Sequence, residues 1–188
     1  MSRIATLAIL GVLLSGAAQA APRPVSVDEV RRFPPFSLTF QAGAMFPAGD
    51  EGSGLERGPQ FVGSLGYEMG SSFTLLGEVG LVESRDDART RVVMTSLNAR
   101  LFPSLDMRQF YVDIGGGIYH IAYQRQTPVA LPSKIRPGLS FGVGYDAFEI
   151  DNLTIGIVGS YHGIVVARSD ALAYLTLGVY GSLRPTFW

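Results

Sequence analysis

The chain has 188 residues, a formal net charge of −1 at pH 7, and no cysteine. This length suits a single domain, and the absence of cysteine excludes a fold stapled by disulfides. The near-neutral charge offers no basic excess for nucleic acid. We therefore expect one domain held by backbone and side-chain contacts alone, with no nucleic-acid partner.

Residues 1–20 have the composition of a secretory signal peptide. Arg3 precedes an apolar run from Ile4 to Leu14, and an Ala-x-Ala pattern ends at Ala20. The run is shorter than the roughly 20 apolar residues that a membrane-spanning helix needs, so no transmembrane helix is predicted. We expect cleavage after Ala20 and export to the bacterial periplasm or outer membrane.

Residues 21–35 form a polar, proline-punctuated lead-in that is predicted to lie in the periplasm. Ser26 and Glu29 have the spacing of a helix capping box, and Pro34 and Pro35 would end any helix there. A short helical turn and a flexible linker both remain open for this segment.

The stretch from Gln109 to His120 shows the pattern that organises the rest of the chain. Its alternate residues divide into an apolar set, which includes Phe110 and Ile114, and a set of small, polar and aromatic residues, which includes Asp113. A β-strand directs alternate side chains to opposite faces. The stretch is therefore predicted to be a strand with one apolar face.

The same alternation recurs throughout residues 36–188 and predicts eight strands. Long and short connections alternate between them, as in outer-membrane barrels with both termini in the periplasm. The predicted connections are Pro47–Gly58, Gly70–Ser72, Ser84–Arg91, Pro103–Arg108, Ala122–Arg136, Phe148–Asn152 and Gly163–Asp170.

The alternate residues of each strand form two sets, one even-numbered and one odd-numbered, and we call each set a parity. The charged residues inside these strands all lie on the less apolar parity. A soluble barrel or sandwich would expose that parity to water, but it is rich in Gly, Ser, Thr and Tyr and poor in Lys and Glu. Aromatic residues lie near strand ends on the apolar parity, as in membrane barrels. The predicted fold is an all-β, eight-stranded antiparallel up-and-down transmembrane barrel with its apolar face outward. The charges predicted to face its interior are Glu68, Glu78, Arg100, Asp113 and Asp146.

Two segments resemble the small eight-stranded outer-membrane barrels of the OmpA transmembrane domain and OmpX group. Phe110–Gly117 is similar to the family's Tyr-Val-x-x-Gly-x-Gly strand, and Phe141–Tyr145 with the turn at Asp151–Thr154 is similar to its next hairpin. The resemblance implies an outer-membrane location. The terminal Phe187 and Trp188 are similar to the signal that the outer-membrane assembly machinery reads.

An eight-stranded barrel has an interior just wide enough to be filled by side chains, so a diffusion pore is not expected. We expect the interior charges to form a hydrogen-bonded network, with Asp113 diagonal to Arg100. Interior glycines, among them Gly115 and Gly144, are expected to make room for tyrosine rings. The expected role is structural or adhesive, for a monomer in contact with outer-membrane lipid and lipopolysaccharide. No cofactor and no metal site are predicted.

Ser160 and His162 share one face near the outer end of the seventh strand. Serine and histidine can act as nucleophile and general base, and some small barrels of this membrane are lipid A acyl hydrolases or transferases. The deacylases of that group have the order His-x-Ser, whereas this chain has Ser-x-His. An ordinary interior Ser and His is the favoured interpretation, and a lipid A-modifying enzyme is the alternative.

Overall fold

The computed structural model describes residues 36–48, 55–85, 89–103, 109–123, 134–165 and 171–185. The predicted signal peptide and lead-in, together with Phe187 and Trp188, lie outside these residues. No helix within the described ranges is long and apolar enough to cross a bilayer.

Eight antiparallel strands close into a barrel, which confirms the predicted fold. Each strand pairs with the next along the chain, and β8 pairs with β1. Closure leaves no sheet edge unpaired, as a barrel in lipid requires. The strands are β1 (Phe36–Pro47), β2 (Gly58–Glu68), β3 (Phe73–Glu83), β4 (Thr90–Leu101), β5 (Phe110–Tyr123), β6 (Lys134–Ile150), β7 (Leu153–Val165) and β8 (Ala171–Leu183).

The connections divide the barrel into two ends. Residues 48–57, 84–89, 124–133 and 166–170 join strands at what we call the loop end. Residues 69–72, 102–109 and 151–152 join them at the turn end, where β1 also begins and β8 finishes. The 102–109 connection departs from the predicted alternation, because it is longer than two of the connections at the loop end.

Several strands extend beyond their predicted limits, most clearly β6. Phe148–Ile150 was expected in a turn but continues the strand after a register shift between Asp146 and Phe148. Only residues 151 and 152 then separate β6 from β7. Asp151 has a φ of 50°, in the left-handed region that Asp and Asn tolerate in tight turns.

The outward face is apolar along every strand. Phe40 is 71% exposed and Leu97 58% exposed, values that would be unusual across the whole surface of a soluble domain. One expectation needs correction, because Glu83 and Arg91 lie on the outward parity at the loop end and hydrogen bond to each other at 2.6 Å. Charge is therefore present on this face, but there it is paired and close to the loop end.

Candidate functional site

The candidate site is the barrel interior, where the inward side chains of all eight strands meet. Its polar residues form separate groups at different heights between the turn end and the loop end. The five charged residues predicted to lie inside are consequently not one network. The interior contains four such groups among the described residues, and apolar residues cover them toward the loop end.

Arg100 is the centre of the group that we call the guanidinium cluster (Arg100, Asp113, Tyr111, Tyr180 and Asp146). Its Nε and Nη2 donate to the two carboxylate oxygens of Asp113, both at 2.9 Å. The Arg100 guanidinium carbon lies 3.7 Å from the centroid of the Tyr111 ring. Tyr180 donates its hydroxyl to Asp146. Arginine is always charged, and here that charge is matched by a bidentate carboxylate and an aromatic face.

Two glycines allow the rings of this cluster to lie across the barrel. A Cβ atom on Gly144 would overlap the Tyr111 ring, and one on Gly156 would overlap the Tyr180 ring. The two tyrosine rings meet edge to face, with centroids 6.1 Å apart. At these two positions the glycines make room for tyrosines, as the sequence predicted.

Glu78 belongs to a second group, the Glu78 cluster (Glu78, Ser96, Asn98 and Ser140). Asn98 Nδ2 and Ser96 Oγ both donate to Glu78 Oε2, and Ser140 Oγ donates to Asn98 Oδ1 at 2.7 Å. Asn98 reaches Ser140 across β5 because Gly115 lies between them and a Cβ there would overlap Asn98 Oδ1. Gly115 therefore makes room for an asparagine rather than for the tyrosine that was expected.

Glu68 lies apart from both clusters, at the turn end. Arg184 Nε donates to Glu68 Oε1 at 3.1 Å, and Arg184 Nη1 donates to Glu149 Oε1 at 3.3 Å. Arg184 follows β8 directly, beyond the alternating pattern, so the sequence pattern gave no reason to select it. This group, the rim triad, joins residues of β2 and β6 to the end of β8.

His162 forms the fourth group, the histidine stack, with Tyr119 and Tyr174. It is 3% exposed, and its ring lies parallel to Tyr174 with centroids 4.7 Å apart. His162 Nδ1 and the Tyr119 hydroxyl are 3.1 Å apart. Within the described residues, no hydrogen bond joins His162 to Ser160 and no carboxylate contacts either ring nitrogen. A serine–histidine–acid arrangement is not assembled here.

The middle of the interior holds a small polar cavity of about 30 Å³, lined among others by Glu78, Gln60, Ser160 and His162. Gln60 Oε1 and His162 Nε2 are buried and have no hydrogen-bond partner among the described atoms. A cavity of this size accommodates about one water molecule. It is far too small for an acyl chain.

Apolar side chains make up most of the interior between this cavity and the loop end. Arg136, opposite Tyr119 on β6, also lies on the inward parity there, and its Nε is buried with no hydrogen-bond partner among the described atoms. These apolar residues were not predicted, because the inward parity was expected to be polar; the available signal was the presence of apolar residues on both parities near the loop end. Leu55, which precedes β2, packs among them. This apolar layer comprises Met45, Leu55, Val62, Val82, Val92, Met94, Tyr119, Ile121, Ile164, Leu172 and Tyr174.

The other histidine of the described residues lies on the outside of the barrel. His120 is on the outward parity near the loop end of β5, where it pairs with Val93 and Ile135. The described part of the chain holds no group of three or more His, Cys, Asp or Glu residues that could bind a metal ion.

No known protein family matches the chain, and no curated protein does. Among solved structures, the Neisserial surface protein A aligns with 80% of this chain and 97% of its own, at 12% identity and a TM-score of 0.57. The N-terminal β-barrel domain of Pseudomonas aeruginosa OprF aligns with 78% of this chain and 97% of its own, at 14% identity and a TM-score of 0.53. The expected resemblance is confirmed at the level of architecture: the chain has the fold of the small eight-stranded outer-membrane β-barrels.

Proposed function

We propose that this chain is an integral outer-membrane protein with a structural or surface-interaction (adhesive) role and a sealed interior. The observation that carries the proposal is the closure of the interior at two heights. The apolar layer fills it toward the loop end, and the guanidinium cluster with Phe102 fills it toward the turn end. Ions would have to cross both regions, and the apolar layer offers them no replacement for their hydration.

The outward face supports the location. Exposed apolar side chains surround the whole barrel, and their burial in lipid is favourable at about 25 cal/mol per Å². The two shortest connections, the start of β1 and the end of β8 lie at one end, which in outer-membrane barrels is the periplasmic end. The loop end would then face outside the cell and would carry any adhesive contacts. The protein would be a monomer surrounded by outer-membrane lipid and lipopolysaccharide. The terminal Phe187 and Trp188 would serve the assembly machinery.

Two measurements on the full chain test this proposal. After expression in a Gram-negative host, the protein should fractionate with the outer membrane and change its gel mobility on heating. In planar bilayers the folded protein should give no steady conductance. Fractionation with soluble proteins would overturn the location, and a stable open channel would overturn the sealed interior.

A lipid A-modifying acyl hydrolase or transferase using His162 and Ser160 is the alternative function. Lipid contacts the outward face of a membrane barrel, whereas both side chains line an interior cavity of about 30 Å³. An acyl ester would have to pass through the strands or the apolar layer to reach them. This placement favours the non-enzymatic proposal.

A further inference from the structure

The outward face of β6, β7, β8 and β1 contains an apolar groove near the loop end. Strand register places Phe46, Leu175, Tyr161 and Phe141 in one row across these four strands. The adjacent row toward the turn end contains Leu177, Gly159 and Val143. Because Gly159 has no side chain, the backbone forms the floor between Leu177 and Val143. The groove is open to the outside and has a volume of about 410 Å³.

A cation lies just outside this groove, beside Phe46 on the β2 side. The Arg57 guanidinium carbon is 5.6 Å from the centroid of the Phe46 ring, which is one wall of the groove. Arg57 is exposed, and the described residues include no carboxylate paired with it. Arg91 differs, since it is hydrogen bonded to Glu83 on the other side of the barrel. Among the described residues, the positive charge of Arg57 is thus available to a ligand.

The backbone beside Arg57 is held in place. Glu56 N donates to Ser84 Oγ at 2.7 Å, Ser84 Oγ donates back to Glu56 O at 3.1 Å, and Leu55 packs into the apolar layer. Holding the backbone beside Arg57 before binding reduces the entropy lost when a ligand arrives.

We propose that this groove and Arg57 form a binding site for one phosphorylated lipid of the outer leaflet, of the lipid A type. An acyl chain lies over Gly159 between the two rows, and a phosphate on the sugar headgroup contacts Arg57. The apolar walls recognise the chain by burial, and the guanidinium recognises the anion by charge-assisted hydrogen bonds. The site deepens the proposed function, because it requires the loop end to lie in the outer leaflet.

Native mass spectrometry of the folded full-length protein in detergent tests the site. Phosphorylated lipid A and the same lipid after enzymatic dephosphorylation are each titrated against wild type. Phosphorylated lipid is expected to bind with a stoichiometry of one, and roughly tenfold more tightly than the dephosphorylated form, a ratio that corresponds to one charge-assisted contact. Equal binding of the two lipids would overturn the proposal.

Matched variants locate the site. Arg57→Gln is expected to abolish the preference for phosphorylated lipid. Gly159→Leu is expected to fill the floor of the groove and to weaken the binding of both lipids roughly tenfold. Arg91→Gln and Gly77→Leu make the same changes elsewhere on the outward face, and wild-type binding is expected of both. Gly159→Ala replaces the leucine variant if that variant fails to show heat-modifiable mobility. Losses in the control variants equal to those in the test variants would mean non-specific lipid adhesion and overturn the proposal. If wild-type protein folds and fractionates with the outer membrane but binds both lipids equally, this inference is wrong and the proposed function stands.

Discussion

Arg100 and Asp113 lie directly opposite each other on β4 and β5 and form a bidentate ion pair, with both nitrogen–oxygen distances at 2.9 Å. Each side chain is only 14% exposed. The two residues were expected on a diagonal, because a short turn at Pro103–Arg108 was predicted between these strands. Direct opposition lets the guanidinium make two hydrogen bonds to the carboxylate, and Arg100 also lies over the Tyr111 ring.

Removing one member of this pair should be strongly destabilising. Asp113→Asn leaves a buried guanidinium without its counter-charge, which typically costs about 3–5 kcal/mol. The double variant Arg100→Met/Asp113→Leu should recover most of the loss, because the guanidinium that lacked its carboxylate is removed as well. Urea unfolding in detergent micelles or vesicles measures the free energy of unfolding of each variant.

The exposed pair of Glu83 and Arg91 is the control for that experiment. Both side chains are more than 40% exposed, and exposed pairs contribute roughly 0–1 kcal/mol. Glu83→Gln should therefore change the free energy of unfolding little. A loss at Asp113→Asn no larger than that at Glu83→Gln would contradict the role given to the buried pair.

Gly144→Ala should destabilise the barrel by overpacking. The new methyl group would meet the Tyr111 ring, which is completely buried and has little room to move. Overpacking of this kind typically costs about 1–3 kcal/mol. Gly77→Ala is the matched control, since no atom lies within 4 Å of its added Cβ on the outward face. Equal urea midpoints for the two variants would show that Gly144 is not needed for the tyrosine.

Substitution of His162 should affect stability and leave lipid A unchanged. His162→Ala removes the stacking on Tyr174 and the partner of the Tyr119 hydroxyl, a loss in the range of about 2–4 kcal/mol for a large buried side chain. Mass spectrometry of lipid A from cells that express wild type, Ser160→Ala or His162→Ala should give three identical profiles. A lipid species that appears with wild type and disappears with both variants would establish the enzyme alternative.

Leu97→Arg distinguishes an outward face in lipid from one in water. Leu97 lies near the middle of β4 and is 58% exposed. Arginine facing lipid at the bilayer midplane costs about 2–4 kcal/mol, whereas a substitution on a water-exposed surface usually changes stability by less than about 0.5 kcal/mol. Unfolding from phospholipid vesicles should show the larger loss.

The sequence was sufficient to predict the strands and their faces, because period-two alternation is a local property of each strand. Phe110 and Ile114 could be placed outside, and Tyr111 and Asp113 inside, from position alone. The strand limits were less accurate where polar or turn-forming residues continue a strand, as at the end of β6. Hydrogen bonding to β7 keeps Phe148–Ile150 extended there, and the local composition does not record that pairing.

The interior groups depend on register and on height along the barrel axis, which the alternation does not specify. Parity placed Glu68 and Glu78 on the same face, yet Glu68 pairs with Arg184 at the turn end and Glu78 accepts from Asn98 near the middle. The partner of Glu68 lies far away in the sequence and becomes its neighbour only when β8 closes onto β1. The partner of Glu68 therefore depends on the closure of the barrel, which the local alternation of residues does not specify.

The position of the outward face in lipid is tested most directly by spin-label accessibility. The chain has no cysteine, so single cysteines at Leu97, Ile114 and Ile157 can each carry one nitroxide in the reconstituted protein. If these residues face the bilayer core, collisions with oxygen should be frequent and collisions with a water-soluble nickel chelate rare at all three. Frequent collisions with the nickel chelate at these positions would contradict a membrane-spanning barrel.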